Sequence, residues 1–191
     1  MKAPRNLRLL FTAEEIHVRL GRVAREVAKK IDPSERPLAI VVLQGGFIFA
    51  ADLLRRLPPD FPIDVAFLRC QSYGAGTRSS GRVLLLQDID PEVDLRGRTV
   101  LLLDDILDTG LTMNFLVTHL KRRGAARVCV CVLLHRRRAP RAPKRLARRL
   151  KPDFAAFTIG PEFVVGYGLD HDGKYRHLPM LAALKLPRAK K

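Results

Sequence analysis

Residues 99–113, with the sequence TVLLLDDILDTGLTM, decide the fold that we expect for this chain. Residues 100–103 form an apolar run without polar alternation, which is typical of a strand covered on both faces in a parallel sheet. The run ends in two adjacent carboxylates, Asp104 and Asp105, and a helical pattern of apolar residues begins at Met113. The stretch therefore predicts a strand, an acidic strand end, a short loop and a helix. Open α/β sheets bind their ligands at the carboxyl ends of their strands, which is where this loop is expected.

The predicted loop is suited to hold a phosphate group. A helix N-terminus offers unpaired N–H groups and a favourable dipole, Gly110 allows close approach of the backbone, and the hydroxyls of Thr109 and Thr112 can donate hydrogen bonds. The two carboxylates would repel a phosphate, so we expect them to face sugar hydroxyls, Mg²⁺ or a proton that is to be removed. The structural alternative is an acidic strand end that caps a helix, because short Asp/Thr/Gly loops are common in turns.

Length and composition predict one domain, residues 1–191, of the aliphatic α/β class. The chain is 47% hydrophobic but only 6% aromatic. We expect no secretory signal peptide, and no apolar run approaches the ~20 residues that a membrane span needs. Three cysteines provide no disulfide framework, which favours a reducing cytoplasm.

The net charge of +16 is concentrated in two short stretches. Residues 135–151 carry nine Lys or Arg and no acidic residue, and residues 187–191 carry three more. Such charge would suit nucleic acid, an acidic membrane surface or a polyanionic small substrate. We expect the segment 135–151 to be exposed.

The remaining chain repeats the pattern of strand, loop and helix. Residues 12–31 predict an amphipathic helix, with Thr12 and Glu15 forming a capping box at its start. A buried strand at 38–43 is followed by a glycine loop, and then by a helix at 47–57. Further strands are expected at 63–71, 82–87, 127–134 and 153–159. Residues 72–82 contain three glycines and several small polar residues, which is typical of a mobile active-site lid.

Four segments of the chain resemble, in family order, the hypoxanthine/guanine phosphoribosyltransferases of the bacterial 6-oxopurine branch. The central motif is similar to the phosphoribosyl-diphosphate (PRPP) signature of type I phosphoribosyltransferases. The four segments are residues 43–53, residues 72–81, residues 99–113, and residues 163–170 together with 174–179. The resemblance implies the type I phosphoribosyltransferase fold, a Rossmann-like twisted parallel sheet flanked by helices, with a small hood and a flexible lid loop.

The resemblance also implies a reaction. A purine nitrogen displaces pyrophosphate from C1 of PRPP, so that hypoxanthine or guanine becomes IMP or GMP in purine salvage. Positive charge develops on the ribose as pyrophosphate leaves, which calls for carboxylates near the sugar, Mg²⁺ on the leaving group and a base near the purine. Mn²⁺ is expected to replace Mg²⁺, and a homodimer or homotetramer is expected. No membrane partner is expected.

The resemblance assigns roles to residues of this chain. The ribose and 5′-phosphate of PRPP would be bound by Asp104, Asp105, Asp108, Thr109, Gly110, Leu111 and Thr112. Pyrophosphate would be bound by Gln44, Gly45, Arg69, Ser72, Tyr73 and Arg176, in a site whose first loop contains a cis peptide. The purine would be bound by Arg136, Phe163, Val164, Leu169 and Asp170. The candidate general base is Asp108, and the candidate metal-binding residues are Asp104, Asp105 and Asp170.

Three positions depart from the family pattern. Asp104 stands where Glu is usual, Gln44 stands where Lys is frequent, and Arg136 stands where Lys usually donates to the purine 6-oxo group. Arginine still donates to a carbonyl but is bulkier and planar. These changes would shift base preference or lower the rate, and they remove no required type of charge.

Two alternatives stay open at this stage. The first is a nucleic-acid-binding regulator on the same fold, in which residues 135–151 would contact phosphates. That segment lacks the interleaved aromatic residues that stack on bases, and such regulators lack the Gly-Tyr-Gly-Leu-Asp sequence of residues 166–170. The second is a xanthine-preferring relative, since the sequence does not rank hypoxanthine, guanine and xanthine.

Overall fold

The computed structural model describes residues 6–73, 82–137 and 150–185. The helices are α1 (Ala13–Lys30), α2 (Phe47–Leu54) and α3 (Leu111–Arg122), with a short 3₁₀ helix at Pro33–Glu35. The strands are β1 (Leu7–Phe11), β2 (Leu38–Leu43), β3 (Asp64–Tyr73), β4 (Arg82–Gln87), β5 (Thr99–Leu107), β6 (Arg127–Arg136), β7 (Phe154–Ile159), β8 (Val164–Val165) and β9 (Leu181–Leu184).

Two sheets organise the described residues. The larger has the strand order β4-β3-β2-β5-β6-β7, and all its pairings are parallel except that β4 runs antiparallel to β3. The smaller has the order β1-β9-β8 and corresponds to the hood that the family resemblance implies. The predicted α/β class with a mainly parallel sheet is confirmed.

Strand β5 lies near the middle of the larger sheet and is covered on both faces, as its apolar run predicts. Leu101 and Leu103 belong to the core that packs against α1 and α2. Val100 and Leu102 point to the opposite face and join the core that contains the buried residues of α3. All four side chains are fully buried. The alternating direction of side chains along a strand therefore links the two layers of helices through β5.

The carboxylates lie inside β5 and not beyond its end, which corrects the predicted strand boundary. The β5–β6 ladder continues past the apolar run, pairing Asp104 with Val132 and Leu107 with His135. β6 itself extends to Arg136, so the backbone of β5 keeps a hydrogen-bonding partner as far as Leu107. Two helix boundaries also differ from the prediction, since α2 ends three residues earlier and α3 begins two residues earlier.

The predicted capping box at the start of α1 is confirmed. The Glu15 amide donates to Thr12 Oγ1 at 3.1 Å, and the Thr12 amide donates to Glu15 Oε2 at 2.8 Å. The buried stripe of the helix consists of Ile16, Leu20, Val23, Ala24 and Val27. The cap supplies partners for two backbone N–H groups at the start of α1, where the helix itself provides none.

The predicted lid and basic segment fall largely outside the described residues. Residues 74–81 lie between β3 and β4, and residues 138–149 between β6 and β7. The three cysteines are free thiols, and Cys129 and Cys131 are buried in the core. In the described part of the chain, no helix is both long enough and apolar enough to cross a membrane.

The capping box yields a stability prediction. Thr12→Ala removes the acceptor for the Glu15 amide and should lower the free energy of unfolding by about 1 kcal/mol. The midpoint of thermal unfolding should fall by about 2–4 °C, measured by circular dichroism. Thr12→Ser retains the hydroxyl and serves as the control. Equal losses in both variants would show that the hydrogen bond is not responsible.

Candidate active site

A cavity of about 500 Å³ opens at the carboxyl ends of the central strands. It lies where β2, β3 and β5 end and where α3 begins, with one wall from the segment between β8 and β9. The lining residues are Val42, Leu43, Gly45, Cys70, Gln71, residues 104–113, Asp170 and Arg176. Parallel strands end at the same edge of a sheet, so residues that are far apart in sequence meet here.

The two adjacent carboxylates form the floor of this cavity. Asp104 is only 7% exposed, and its Oδ1 accepts the Asp105 amide at 2.9 Å. Burial and the neighbouring Asp105 carboxylate raise the pKa of Asp104 well above its usual range. Burial likewise raises the pKa of Asp105, although the Arg176 guanidinium opposes that rise. Cations or hydrogen-bond donors that bind at this floor would therefore stabilise its two carboxylates.

Gly45 is held between the acidic floor and the C-terminal segment. A Cβ at this position would overlap the carboxylate of Asp105. On the other side, a Cβ at Gly168 would overlap the Gly45 carbonyl oxygen. Only glycine at both positions permits this approach. The loop after β2 is thereby fixed against β5, and its Leu43–Gln44 peptide is cis, as the resemblance implies.

The loop between β5 and α3 presents a helix N-terminus to the cavity. Gly110 is the N-cap residue, adopts a left-handed conformation with φ of 83°, and supplies no side-chain cap to the helix. The Leu111 amide donates to Thr109 Oγ1 at 3.4 Å, and the next N–H groups of the first turn of α3, those of Thr112 and Met113, are available to an anion. All five predicted phosphate-loop residues, Asp108 to Thr112, line the cavity.

An ion pair forms the opposite wall. Arg176 Nη2 lies 2.7 Å from Asp170 Oδ1, and Arg176 Nη1 donates to the Gly168 carbonyl at 2.6 Å. Asp170 Oδ2 accepts the Gly173 amide at 2.8 Å. Asp170 and Arg176 are thus oriented as one unit, with opposite charges that face the same cavity.

Arg136, the last residue of β6, lies beside Asp108, which lines the cavity. Its Nη1 donates to the carbonyls of Gly160 and Glu162, both at 2.8 Å, and its Nε lies 3.4 Å from Asp108 Oδ1. The Nε atom is buried and has no hydrogen bond. The guanidinium therefore joins Asp108 to the segment that precedes Phe163, whose ring is 39% exposed.

Comparison with known proteins agrees with this geometry. Residues 12–172 match the family model of the phosphoribosyl transferase domain. The hypoxanthine-guanine phosphoribosyltransferase of Mycobacterium avium is 37% identical over 92% of this chain and 84% of its own length. The Bacillus subtilis enzyme of the same name is 35% identical over 93% of each chain.

The chain belongs to the hypoxanthine-guanine phosphoribosyltransferase family.

Solved structures of the family have the same fold. A Trypanosoma cruzi hypoxanthine phosphoribosyltransferase in complex with the product IMP has a TM-score of 0.81, is 35% identical, and covers 96% of this chain and 97% of its own. A Bacillus anthracis hypoxanthine-guanine phosphoribosyltransferase has a TM-score of 0.80, is 34% identical, and covers 93% and 98% of the two chains.

Ten of the site residues expected for this phosphoribosyltransferase lie together around the cavity. They are Gly45, Asp104, Asp105, residues 108–112, Asp170 and Arg176. Gln44 and Arg69 are exposed and do not line it, although Arg69 pairs in register with Leu43 beside the glycine loop. Ser72 and Tyr73 belong to the end of β3. Nothing in the structure tests the roles assigned to these residues, which stay predictions.

The expected purine residues divide into two groups. Arg136 lies beside Asp108 and Phe163 is 39% exposed, whereas Val164 and Leu169 are buried at 4% and 7% exposure and belong to the core. The buried Val164 side chain leaves only its backbone atoms suited to contact a base, and its role in purine binding stays a prediction. Arg137 is exposed, so Arg136 is the arginine turned towards Asp108.

Sequence reasoning missed Cys70 and Gln71 in the cavity wall. Burial, together with Asp104 and Asp105, raises the pKa of Cys70 to about 12, so the thiol is a neutral wall group and not a nucleophile. Their position at the end of a predicted strand was the available signal.

The acidic floor yields a prediction about pH and stability. Raised carboxyl pKa values in the folded state mean that the folded protein binds more protons, so stability falls as pH rises from the unfolded pKa, about 4, towards the folded values. Asp104→Asn removes one of the two buried charges and keeps an oxygen for the Asp105 amide. We expect its melting temperature to exceed that of the wild type by about 2–6 °C near neutral pH, with lower activity. The gain should disappear near pH 4.

Asp94→Asn is the matched control for that experiment. Asp94 is exposed, and hydrogen bonds from Arg96 lower the pKa of its carboxyl, so the sign of the linkage is reversed. This variant should show no gain in melting temperature at neutral pH. A gain of Asp104→Asn over the wild type that is the same at pH 4 and at pH 7 would contradict the assignment.

Proposed function

We propose that the chain catalyses transfer of the 5-phosphoribosyl group from PRPP to a 6-oxopurine, hypoxanthine or guanine, in purine salvage. The observation that carries this proposal is the meeting of an acidic floor and a helix N-terminus in one cavity of about 500 Å³. A sugar that bears phosphates needs both features within a few ångströms, because carboxylates bind hydroxyls and the helix end binds phosphate. Its relative from Trypanosoma cruzi binds the product IMP.

Different residues of the cavity bind the different parts of the two substrates. The loop from Asp108 to Thr112 binds the 5′-phosphate through backbone N–H groups and hydroxyls. Asp104 and Asp105 accept hydrogen bonds from the ribose hydroxyls and stabilise positive charge on the ring as its bond to pyrophosphate breaks. Asp108, whose side chain is 51% exposed at the mouth, accepts a proton from the purine. Arg176 and the glycine loop bind the departing pyrophosphate.

Mg²⁺ belongs to the same proposal. Among the described residues, no three His, Cys, Asp or Glu side chains converge on a metal position. The carboxylates of Asp104, Asp105 and Asp170 line the cavity, and Mg²⁺, which keeps several waters, is commonly held by one or two carboxylates together with substrate phosphates. Asp104 and Asp105 would hold one Mg²⁺ through its waters, and Asp170 would bind a second. The bound ion neutralises charge on the pyrophosphate leaving group, and Mn²⁺ should replace it.

We propose a homo-oligomer in the cytoplasm. Four large apolar side chains on β3 and β4, the two neighbouring strands at one edge of the larger sheet, are about half exposed, namely Val65, Phe67, Leu84 and Leu86. The alternate side chains of β3, such as Ala66 and Leu68, are buried. A paired copy of the chain would cover this apolar surface, which is unusual on a monomer.

A panel of purine bases tests the proposal. Purified protein with PRPP and Mg²⁺ should form IMP from hypoxanthine or GMP from guanine, and should release pyrophosphate. Turnover should stop in excess EDTA. A preference for xanthine would assign the chain to the xanthine branch instead. Specific, salt-dependent RNA binding without turnover would favour the regulator hypothesis.

Asp108→Asn should reduce kcat about 10²-fold, the range of general base catalysis, while PRPP binding is largely kept.

Arg136 yields a prediction about base selectivity. Its guanidinium donates but cannot accept, so it suits the 6-oxo group of hypoxanthine and not the 6-amino group of adenine. Arg136→Ala should lower kcat/KM for hypoxanthine about 10- to 100-fold, since a hydrogen bond from a charged donor is lost. Arg136→Lys should keep most of the activity.

Arg137→Ala is the matched control, because Arg137 is the exposed neighbour of Arg136. It should leave kcat/KM for both bases unchanged. Full activity of Arg136→Ala towards hypoxanthine would remove this residue from the base site.

A further inference from the structure

We infer that Asp52 and Tyr167 form a positioning pair. The pair holds the backbone of the glycine loop, residues 44–46, in the position required to bind pyrophosphate. The inference rests on the proposed function and adds two residues for which that function supplies no role. Neither side chain lines the cavity, so the pair acts through the backbone it restrains. Asp52 lies on α2 within residues 43–53, one of the four segments that resemble the family.

The first observation is the hydrogen bond itself. The Tyr167 hydroxyl donates to Asp52 Oδ2, and the two residues are 115 positions apart in sequence. Tyr167 is 7% exposed, and the Asp52 side chain is 22% exposed. Arg55 and Arg56 flank the carboxylate from the next turn of the same region. Burial opposes ionisation, but hydrogen bonds from Tyr167 and Arg55 outweigh it and lower the pKa of Asp52.

The second observation is the backbone that carries Tyr167. Gly166, Tyr167 and Gly168 all have positive φ, at 96°, 48° and 100°. A tyrosine in this conformation is unfavourable by itself, so its surroundings must hold it there. The Tyr167 amide donates to the Leu178 carbonyl at 2.8 Å, and the Gly168 amide donates to the Arg176 carbonyl at 3.0 Å. The hydroxyl bond to Asp52 adds an anchor from outside this turn.

The third observation is what the turn touches. Gly168 packs directly on the carbonyl oxygen of Gly45, with no room for a Cβ between them. Gly45 in turn packs on the carboxylate of Asp105. If the turn that contains Gly168 shifted, Gly45 would lose its contact on that side but would keep its contact with Asp105 on the other.

These contacts close a ring. Gly45 is followed at once by α2, which carries Asp52; Asp52 accepts from Tyr167; and Tyr167 is followed by Gly168, which returns to Gly45. The glycine loop is thus attached at two points to the same turn. A loop of small residues has little packing of its own, so its position depends on such attachments.

The experiment compares Tyr167→Phe and Asp52→Ala with the wild type. Tyr167→Phe keeps the packed ring and removes only the hydroxyl. The dissociation constant of inorganic pyrophosphate, measured by calorimetry with Mg²⁺, should rise about tenfold in both variants, since misplacing a binding group costs affinity. KM for PRPP should rise with it, whereas KM for hypoxanthine should stay within about twofold of the wild type. Asp52→Asn keeps an oxygen acceptor for Tyr167 and should lose less than Asp52→Ala.

Two controls separate positioning from loss of stability. Thr99→Val removes another largely buried hydrogen bond, from Thr99 to Glu35 at the opposite end of β5, and should change the melting temperature without changing pyrophosphate affinity. The double variant Asp52→Ala/Tyr167→Phe should lose no more affinity than Asp52→Ala alone, because the two groups act as one unit.

The outcomes distinguish this inference from the proposed function. If the wild type binds pyrophosphate and Tyr167→Phe binds it equally well, the pair has no positioning role. Additive losses in the double variant, or an equal rise in KM for hypoxanthine, would also overturn it. If the wild type neither binds pyrophosphate nor uses PRPP, the proposed function itself fails.

Discussion

Two adjacent carboxylates inside the central strand β5 impose the constraint on which the rest of the site depends. Asp104 and Asp105 are drawn out of water by the sheet that positions them, and burying charge is costly unless it is balanced. Two nearby groups stabilise these carboxylates. The Asp105 amide donates a hydrogen bond to Asp104, and the positive charge of the Arg176 guanidinium stabilises the Asp105 carboxylate. The neighbouring backbone must come close without side chains, which explains the glycine at position 45.

The parallel sheet brings the remaining groups to this floor. β2 and β5 are adjacent and point the same way, so the glycine loop after one lies beside the phosphate loop after the other. The third component, Asp170 with Arg176, belongs to the chain between β8 and β9, outside the larger sheet. It is joined to the site through the contact of Gly168 with Gly45. A rigid sheet therefore supplies two walls, and a separately anchored turn supplies the third.

The two arginines of the site are each paired with an acid. Arg176 contacts Asp170, and Arg136 lies beside Asp108, so cationic and anionic groups alternate around the cavity. A substrate that carries phosphates at two ends and hydroxyls between them matches this alternation better than a uniformly basic surface would. The net charge of +16 thus does not describe the site, because much of the excess lies in two short stretches of sequence.

The sequence by itself determined the central strand, its acidic residues, the phosphate loop and the capped first helix, because each is specified by residues close together in the chain. An apolar run without alternation requires cover on both faces, and a glycine before a helix leaves N–H groups open to an anion. Tertiary structure decided where β5 ends, since the ladder with β6 carries it past the carboxylates. It also decided that Arg136 and not Arg137 turns to Asp108, and that Tyr167 bonds to Asp52. Three consecutive arginines look alike in sequence, and a contact across 115 positions leaves no local pattern, because only the packing of the sheet and its turns sets which side chains meet.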